Sequence, residues 1–138
     1  NCRFGDPETQ PIMLRLKSDL IEMIQTCFTG NISNYKVEWD ERSAMGIVMS
    51  SIGYPESYET GKEISGLDTF YNILDTKVFH SGTRLEGNNV LTNGGRVLCV
   101  TALGDNLKQS NKKAYSAVKQ IDWNGKYFRK DIGYRVME

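Results

Sequence analysis

The chain has 138 residues, and its 17 basic side chains balance its 17 acidic ones, so the formal net charge is zero. This length suits one domain, or one domain with part of a neighbour. Because opposite charges are interspersed, the composition argues against nucleic acid or an anionic membrane as a partner. No apolar run approaches the roughly 20 residues of a membrane span. Three widely spaced cysteines and a single histidine lack metal-ligand spacing, which favours reduced thiols in a cytoplasmic protein.

The first segment, NCRFGDPETQ, mixes turn residues with polar side chains of the kind found in binding sites. It does not open with the basic and apolar regions of a signal peptide, and we read it as the middle of a longer polypeptide. Asn1, Asp6 and Glu8 offer the hard oxygen ligands that Mg²⁺ takes. Arg3 offers a planar guanidinium for a carboxylate or phosphate. A helix-capping loop with an internal Arg–Asp pair explains the same residues equally well.

Apolar residues recur at steps of three and four between Pro11 and Phe28, which predicts one amphipathic helix. Thr9 is a plausible N-cap for this helix, and Gly30 is placed to end it in a left-handed conformation. The following residues, Asn31–Tyr35, have the composition of a linker. We therefore place a domain boundary between residues 32 and 33.

Beyond the linker, the pattern changes to that of strands with one further helix. Short strands are predicted at three places: residues 36–39, 44–51 and 77–80. The tripeptide Asn93-Gly94-Gly95 predicts the turn of a hairpin between residues 90–92 and 97–103. Asp105 is expected to cap an amphipathic helix that carries Leu107, Ala114, Val118 and Ile121 on one face. This order of elements predicts an α+β fold with antiparallel strands.

Other polar residues have both a functional and a structural interpretation. Arg96 follows two glycines whose N–H groups could approach an anion, although a tight turn explains the glycines more simply. The Lys-Ser/Thr pair of a phosphate-binding P-loop is missing after them. His80 is more simply a structural hydrogen-bonding residue than a general base. Arg129, Asp131 and Arg135 are expected to form a structural ion-pair network.

Several stretches together resemble the phosphoribosylamine–glycine ligase family, also called the glycinamide ribonucleotide synthetases. They cover nearly the whole chain in the family's order: NCRFGDPETQ with LRLKSDL, GYPESYETGKEI, VFHSGT, TNGGRVLCVTALG, AYSAVKQI and YFRKDIGYR. The resemblance implies that residues 1–32 are the last loop and helix of an ATP-grasp domain. Residues 33–138 would be the family's C-terminal domain, a small antiparallel β unit of barrel or sandwich type with a packed helix.

The resemblance also implies an activity. Members of the family join phosphoribosylamine to glycine through a glycyl phosphate, with ATP and Mg²⁺ or Mn²⁺ as cofactors, in de novo purine biosynthesis. A Glu-x-Asn at the end of a family strand supplies metal ligands; Asn1 matches the Asn, and the Glu would precede the first residue. Arg3 matches an arginine that faces phosphate or the substrate carboxylate. Asp6 and Glu8 match the loop that closes this site, and Arg96 resembles a position from which the C-terminal domain reaches the substrate.

Two interpretations of the chain stay open at this point. The nucleotide-clamping strands and lysines of the family are missing, so the chain alone is expected to be inactive as a ligase. It would be either a C-terminal fragment whose partner is the rest of the enzyme, or a stand-alone binding module without catalysis. An uncovered apolar face under residues 14–28 would favour the fragment, whereas charge over that face would favour the module.

Overall fold

The computed structural model describes residues 2–70 and 72–137. The helices within these ranges are α1 (Thr9–Arg15), α2 (Leu20–Phe28) and α3 (Leu107–Val118). The strands are β1 (Ser43–Ser51), β2 (Thr76–His80), β3 (Thr83–Glu86), β4 (Asn89–Thr92), β5 (Arg96–Gly104) and β6 (Lys126–Phe128). Short 3₁₀ turns lie at Ile32–Asn34, Asp68–Phe70 and Tyr134–Val136. None of the described helices is long and apolar enough to cross a membrane.

The strands form two antiparallel sheets. The larger sheet has the order β2-β5-β1-β6, and β3 pairs with β4 in a separate two-stranded sheet. The prediction of a small mixed domain with antiparallel strands is therefore confirmed. The expected barrel-like closure is wrong for the described residues, because β2 and β6 remain as the two edges of an open sheet.

The hydrophobic core lies on one face of the larger sheet. Alternation along β1 points Met45, Ile47 and Met49 toward this face, where all three are buried. Helix α3 covers the same face with an apolar stripe that includes Ala114, Ala117 and Val118. Its N-cap is Asn106, whose side chain accepts a hydrogen bond from the Gln109 N–H, so the prediction that Asp105 caps this helix is wrong by one position.

Helix α1 packs against the opposite face of the sheet, which we call the outer face. Gly46 of β1 makes this possible: a Cβ at that position would lie 3.4 Å from both Pro11 Cδ and Cys99 Sγ. Because glycine has no side chain, the first turn of α1 approaches the strands closely. Cys99 is buried beneath it, and burial raises the pKa of its thiol.

The single helix predicted for residues 11–28 is two helices. The chain breaks between them because Leu16 pairs with Trp39 in an isolated bridge and the Lys17 N–H donates to the Glu38 carbonyl at 3.0 Å. Apart from that bridge, the strand predicted for residues 36–39 is not formed. Asp19 then caps α2 by accepting from two backbone N–H groups, whereas Thr9 lies inside α1 and does not cap it. Gly30 has a φ of 73°, as predicted for a left-handed position after the second helix.

The hairpin predicted around Asn93-Gly94-Gly95 is also wrong. Strand β4 pairs with β3 through a turn at Gly87-Asn88, and β5 pairs with β1 and β2, so the tripeptide links the two sheets. Its glycines allow close packing instead of a tight turn. A Cβ on Gly95 would come within 2.6 Å of Tyr54 Cε2, which means that the Tyr54 ring lies directly on this backbone.

Candidate anion-binding site

A bulge in β5 decides where Arg96 points. Met49 of β1 pairs with Leu98, but the next residue, Ser50, pairs with Arg96, so Val97 is the extra residue. Without this insertion, strand alternation would place Val97 on the outer face and Arg96 in the core. The bulge instead leaves Val97 fully buried in the core and turns Arg96 to the outer face, beside the segment before α1.

Arg96 is held there by Asp6, across ninety positions of sequence. Its Nε lies 3.0 Å from Asp6 Oδ2, and its Nη1 donates to the Asp6 carbonyl at 3.2 Å. Asp6 also accepts from the Gln10 amide at 3.0 Å, which ties the pair to α1. Two residues proposed from sequence as substrate-binding are thus in direct contact. Both are about 40% exposed, so the ion pair orients the guanidinium more than it stabilises the fold.

A cavity of about 420 Å³ opens beside this pair on the outer face. Its polar and aromatic lining residues are Ser50, Tyr54, Arg96, Tyr127, Phe128 and Arg129, and its apolar lining residues include Pro7 and Val48. Tyr127 pairs with Ser50 across β1 and β6, and alternation places Arg129 on the same side of the chain as Tyr127. The Arg96 guanidinium carbon lies 5.9 Å from the centre of the Tyr54 ring, within the range of a cation–π contact.

The other predicted site residues are not brought into this contact. Asn1 lies outside the described residues. Arg3 is exposed and donates to the carbonyl of its neighbour Phe4 at 3.0 Å. Glu8 is exposed, and its carboxylate lies over the buried Gly5. A Cβ added to Gly5 would collide with this carboxylate.

His80 lies at the end of β2 and makes a hydrogen bond of 3.1 Å to the Thr83 hydroxyl. Burial lowers the pKa of His80 from its ordinary value. The side chain is not among the residues that line the outer-face cavity. The hydrogen bond of His80 to Thr83 fits the structural role that the sequence analysis favoured for this histidine.

The predicted ion-pair network in the C-terminal segment forms only in part. Arg129 pairs with Asp131 through two hydrogen bonds of 3.0 and 2.8 Å, and this pairing lowers the pKa of the Asp131 carboxyl. Arg135 instead donates to the hydroxyl of Tyr134. Arg129, which the sequence analysis treated as structural, is a cavity residue.

Sequence reasoning missed Tyr54, Tyr127 and Arg129 as site residues. Each lies in a motif that was noticed, GYPES or KYFRKD, but nothing in either motif shows that the two segments meet. The available signal was weak: an aromatic residue next to an arginine is typical of an anion-binding surface and also of an ordinary protein surface.

The described residues do not by themselves form a metal site. Among them, no group of three or more His, Cys, Asp or Glu side chains is arranged to hold a metal ion. The described chain does provide a cavity that two guanidinium groups and two tyrosines line, with no carboxylate among its lining residues, and this composition suits an oxyanion.

Comparison with known proteins gives a consistent result. Residues 44–135 match the family described as "Phosphoribosylglycinamide synthetase, C domain". The phosphoribosylamine–glycine ligase of Vibrio cholerae is 50% identical over 137 residues, which are 99% of this chain and 32% of that protein. The Salmonella typhimurium ligase is 51% identical over 139 residues, with 100% of this chain and 32% of that protein covered. The chain thus spans about a third of the length of these curated relatives.

A solved structure shows the same fold. The crystal structure of phosphoribosylamine–glycine ligase from Thermotoga maritima superposes with a TM-score of 0.73 at 28% identity. The superposition covers 95% of this chain and 32% of that protein. The superposition thus extends over almost the whole chain, and the two proteins share the fold across that region.

Proposed function

Because the chain belongs to the phosphoribosylglycinamide synthetase C-domain family, we propose that it is the C-terminal part of a phosphoribosylamine–glycine ligase of de novo purine biosynthesis. The observation that carries this proposal is the identity of 50–51% to ligases of that name along essentially the whole chain. The remaining two thirds of the enzyme would supply the ATP-grasp elements.

The surface of α2 supports a place in a larger polypeptide. This helix has no buried residue, and Ile21 and Phe28 are 63% and 86% exposed. Ile24 lies on the same helix and is also exposed. An uncovered apolar face of this kind is the feature that the sequence analysis associated with a fragment, because apolar surface is stabilised when another part of the protein covers it.

The proposed reaction has two steps. Glycine's carboxylate oxygen attacks the γ-phosphorus of ATP, ADP leaves, and glycyl phosphate forms. The amine of phosphoribosylamine then attacks the carbonyl carbon, a C–N bond forms, inorganic phosphate leaves, and the amine loses a proton. Both steps carry anionic oxygens that need oriented cationic donors. In this proposal Arg96, oriented by Asp6, and Arg3 bind substrate oxyanions, and Glu8 lies in the loop that closes the site.

ATP and Mg²⁺ or Mn²⁺ are the proposed cofactors of the complete enzyme. Bound metal would neutralise the charge of the transferring phosphoryl group. Asn1 is the proposed ligand in this chain, with its partners in the rest of the enzyme. The roles given to Arg3, Asp6, Glu8 and Arg96 do not depend on which metal is used.

A chimera tests the proposal. The matching third of the Vibrio cholerae ligase is replaced by this chain, and formation of glycinamide ribonucleotide is measured with ATP, glycine and phosphoribosylamine. We expect turnover within about tenfold of the parent ligase and none from the 138-residue chain alone. The chimera carrying Arg135→Gln, which alters an arginine outside the cavity, serves as the matched control and should keep its activity.

Two outcomes would overturn the proposal. A chimera that folds as well as the parent ligase but makes no product would favour the alternative of a non-catalytic binding module. Turnover by the isolated chain, with contaminating ligase excluded by an Arg96→Gln variant, would show that the chain is not a fragment that depends on the rest of the enzyme.

A further inference from the structure

The segment after β6 carries Arg129 to the outer-face cavity, but the sheet does not hold it there. The pairing of β6 with β1 ends at Phe128 and Met49. Residues 129–132 are in neither a helix nor a strand, and they lead into the 3₁₀ turn that starts at Tyr134. Backbone N–H and C=O groups beyond the end of a strand need other partners, and those partners decide where the segment lies.

Two side chains of α3 supply these partners. The Tyr115 hydroxyl donates to the Arg129 carbonyl at 2.8 Å and accepts from the Ile132 N–H at 3.1 Å. The Asn111 amide donates to the Ile132 carbonyl at 3.0 Å. Because Asn111 and Tyr115 are four positions apart on α3, they lie on the same face of the helix. We call these three hydrogen bonds the α3 clamp.

The α3 clamp connects the two sides of the sheet. Helix α3 packs on the core face, whereas Arg129 lines the cavity on the outer face. The two meet beside β6 because this strand is an edge of the sheet. The Tyr115 ring packs against Phe128, with 6.2 Å between the ring centroids, and both rings rest on the hydrophobic core. Its hydroxyl is therefore held in place before it contacts the segment.

The ion pair of Arg129 lies within the clamped segment. Arg129 donates to Asp131 through Nε at 3.0 Å and Nη2 at 2.8 Å. Both partners lie between the backbone groups that Tyr115 holds, so the α3 clamp places the pair as a unit. A guanidinium has more N–H donors than this pair uses, which leaves donors of Arg129 for an acceptor in the cavity.

We propose that Tyr115 and Asn111 are positioning residues of the ligase, which hold Arg129 at the cavity without lining it themselves. This role rests on the proposed function, in which Arg96 of the same cavity binds a substrate oxyanion. A donor that is already fixed loses little conformational freedom when its ligand binds. Loss of the α3 clamp should therefore weaken the binding of a substrate more than it slows the chemical step.

The test uses the chimeric ligase with Tyr115→Phe, which keeps the aromatic ring and removes the hydroxyl. KM is measured for ATP, glycine and phosphoribosylamine. We expect the KM of one substrate to rise about fivefold while kcat stays within about twofold. Arg129→Gln should raise the KM of the same substrate. Once Arg129 is glutamine, Tyr115→Phe should have little further effect, because the hydroxyl acts through Arg129.

Two further variants of α3 complete the comparison. Asn111→Ala removes the third hydrogen bond of the α3 clamp and should raise the same KM. Ser110→Ala is the matched control: its buried hydroxyl donates to the Leu107 carbonyl within the helix, so its loss lowers stability without altering the segment. It should leave every KM unchanged. Equal KM changes for Ser110→Ala and Tyr115→Phe, or an undiminished effect of Tyr115→Phe beside Arg129→Gln, would overturn the positioning role.

Amide hydrogen exchange of the 138-residue chain measures the α3 clamp without any reaction. The Ile132 amide should exchange about tenfold faster in Tyr115→Phe and not in Ser110→Ala. An unchanged rate in Tyr115→Phe would overturn the α3 clamp itself. An active chimera in which Tyr115→Phe leaves every KM unchanged would overturn the positioning role and leave the proposed function standing. A folded chimera without activity would overturn the proposed function and the positioning role with it.

Discussion

Replacing Gly95 with alanine should destabilise the protein through Tyr54. The added Cβ would lie 2.6 Å from Cε2 and 3.0 Å from Cγ of the Tyr54 ring, so the ring must move away. Tyr54 is 38% exposed and buries most of its surface. For roughly 130 Å² of buried area, complete loss of this contact would cost about 3 kcal/mol at about 25 cal/mol per Å². Since the ring is displaced and not removed, we expect a loss of about 1.5 kcal/mol, or roughly 5 °C in Tm.

A double-mutant cycle isolates this effect. The free energy of unfolding is measured by urea titration for Gly95→Ala, Tyr54→Ala and the double variant. Because the clash requires the ring, Gly95→Ala should cost almost nothing once Tyr54 is alanine, which gives a coupling of about 1 kcal/mol or more. The matched control is Gly94→Ala, whose Cβ would meet Gly82 Cα at 3.1 Å and not Tyr54. Its cost should be the same in both backgrounds. Additive costs for Gly95→Ala and Tyr54→Ala would refute the contact between them.

Three further predictions concern the core, the charges and the site. Ile47→Ala, at a fully buried position of β1, should lower the free energy of unfolding by about 2–5 kcal/mol in urea titrations; a loss below about 1 kcal/mol would contradict its place in the core. Hydrogen bonds from Arg42 keep the pKa values of Asp40 and Asp75 below their ordinary range. These carboxylates therefore stabilise the fold above about pH 4, and the contribution is lost as the pH falls through their folded pKa values. Arg42→Met should flatten the fall of Tm between about pH 5 and pH 2, and an unchanged slope would show that other groups cause it. In the chimeric ligase, Arg3→Lys should lower kcat/KM about a hundredfold with little change in Tm, because lysine cannot form two parallel hydrogen bonds. Near-native kinetics would make Arg3 a structural residue.

The division into two domains between residues 32 and 33 stays a prediction. The structure shows why a sequence pattern alone is a weak guide here. Helix α1 lies on the sheet through the contact of Pro11 with Gly46, while α2 buries none of its residues. Both helices have apolar residues at helical spacing. That spacing does not show which of the two helices packs against the sheet.

Local patterns in the sequence determined the elements whose structure depends on nearby residues. The short apolar run in Ser43–Ser51, the amphipathic stripe of Leu107–Val118 and the left-handed Gly30 are each set by residue pattern or backbone freedom within a few positions. The resemblance of the motifs to a ligase family was likewise present in the sequence itself. The order of these elements favoured an α+β domain in which a helix covers one face of a sheet.

Only the tertiary structure decided which strands pair and which side chains meet. A single inserted residue, Val97, turns Arg96 from the core to the outer face. The residues around Val97 give no local sequence signal that predicts this bulge. Strand β4 pairs with β3 through the turn at Gly87-Asn88 and not with β5, so the glycines before Arg96 serve close packing instead of a hairpin. The cavity joins residues from positions near 50, 96 and 128. Such contacts form between segments far apart in sequence, and their energy comes from the packing of the whole fold.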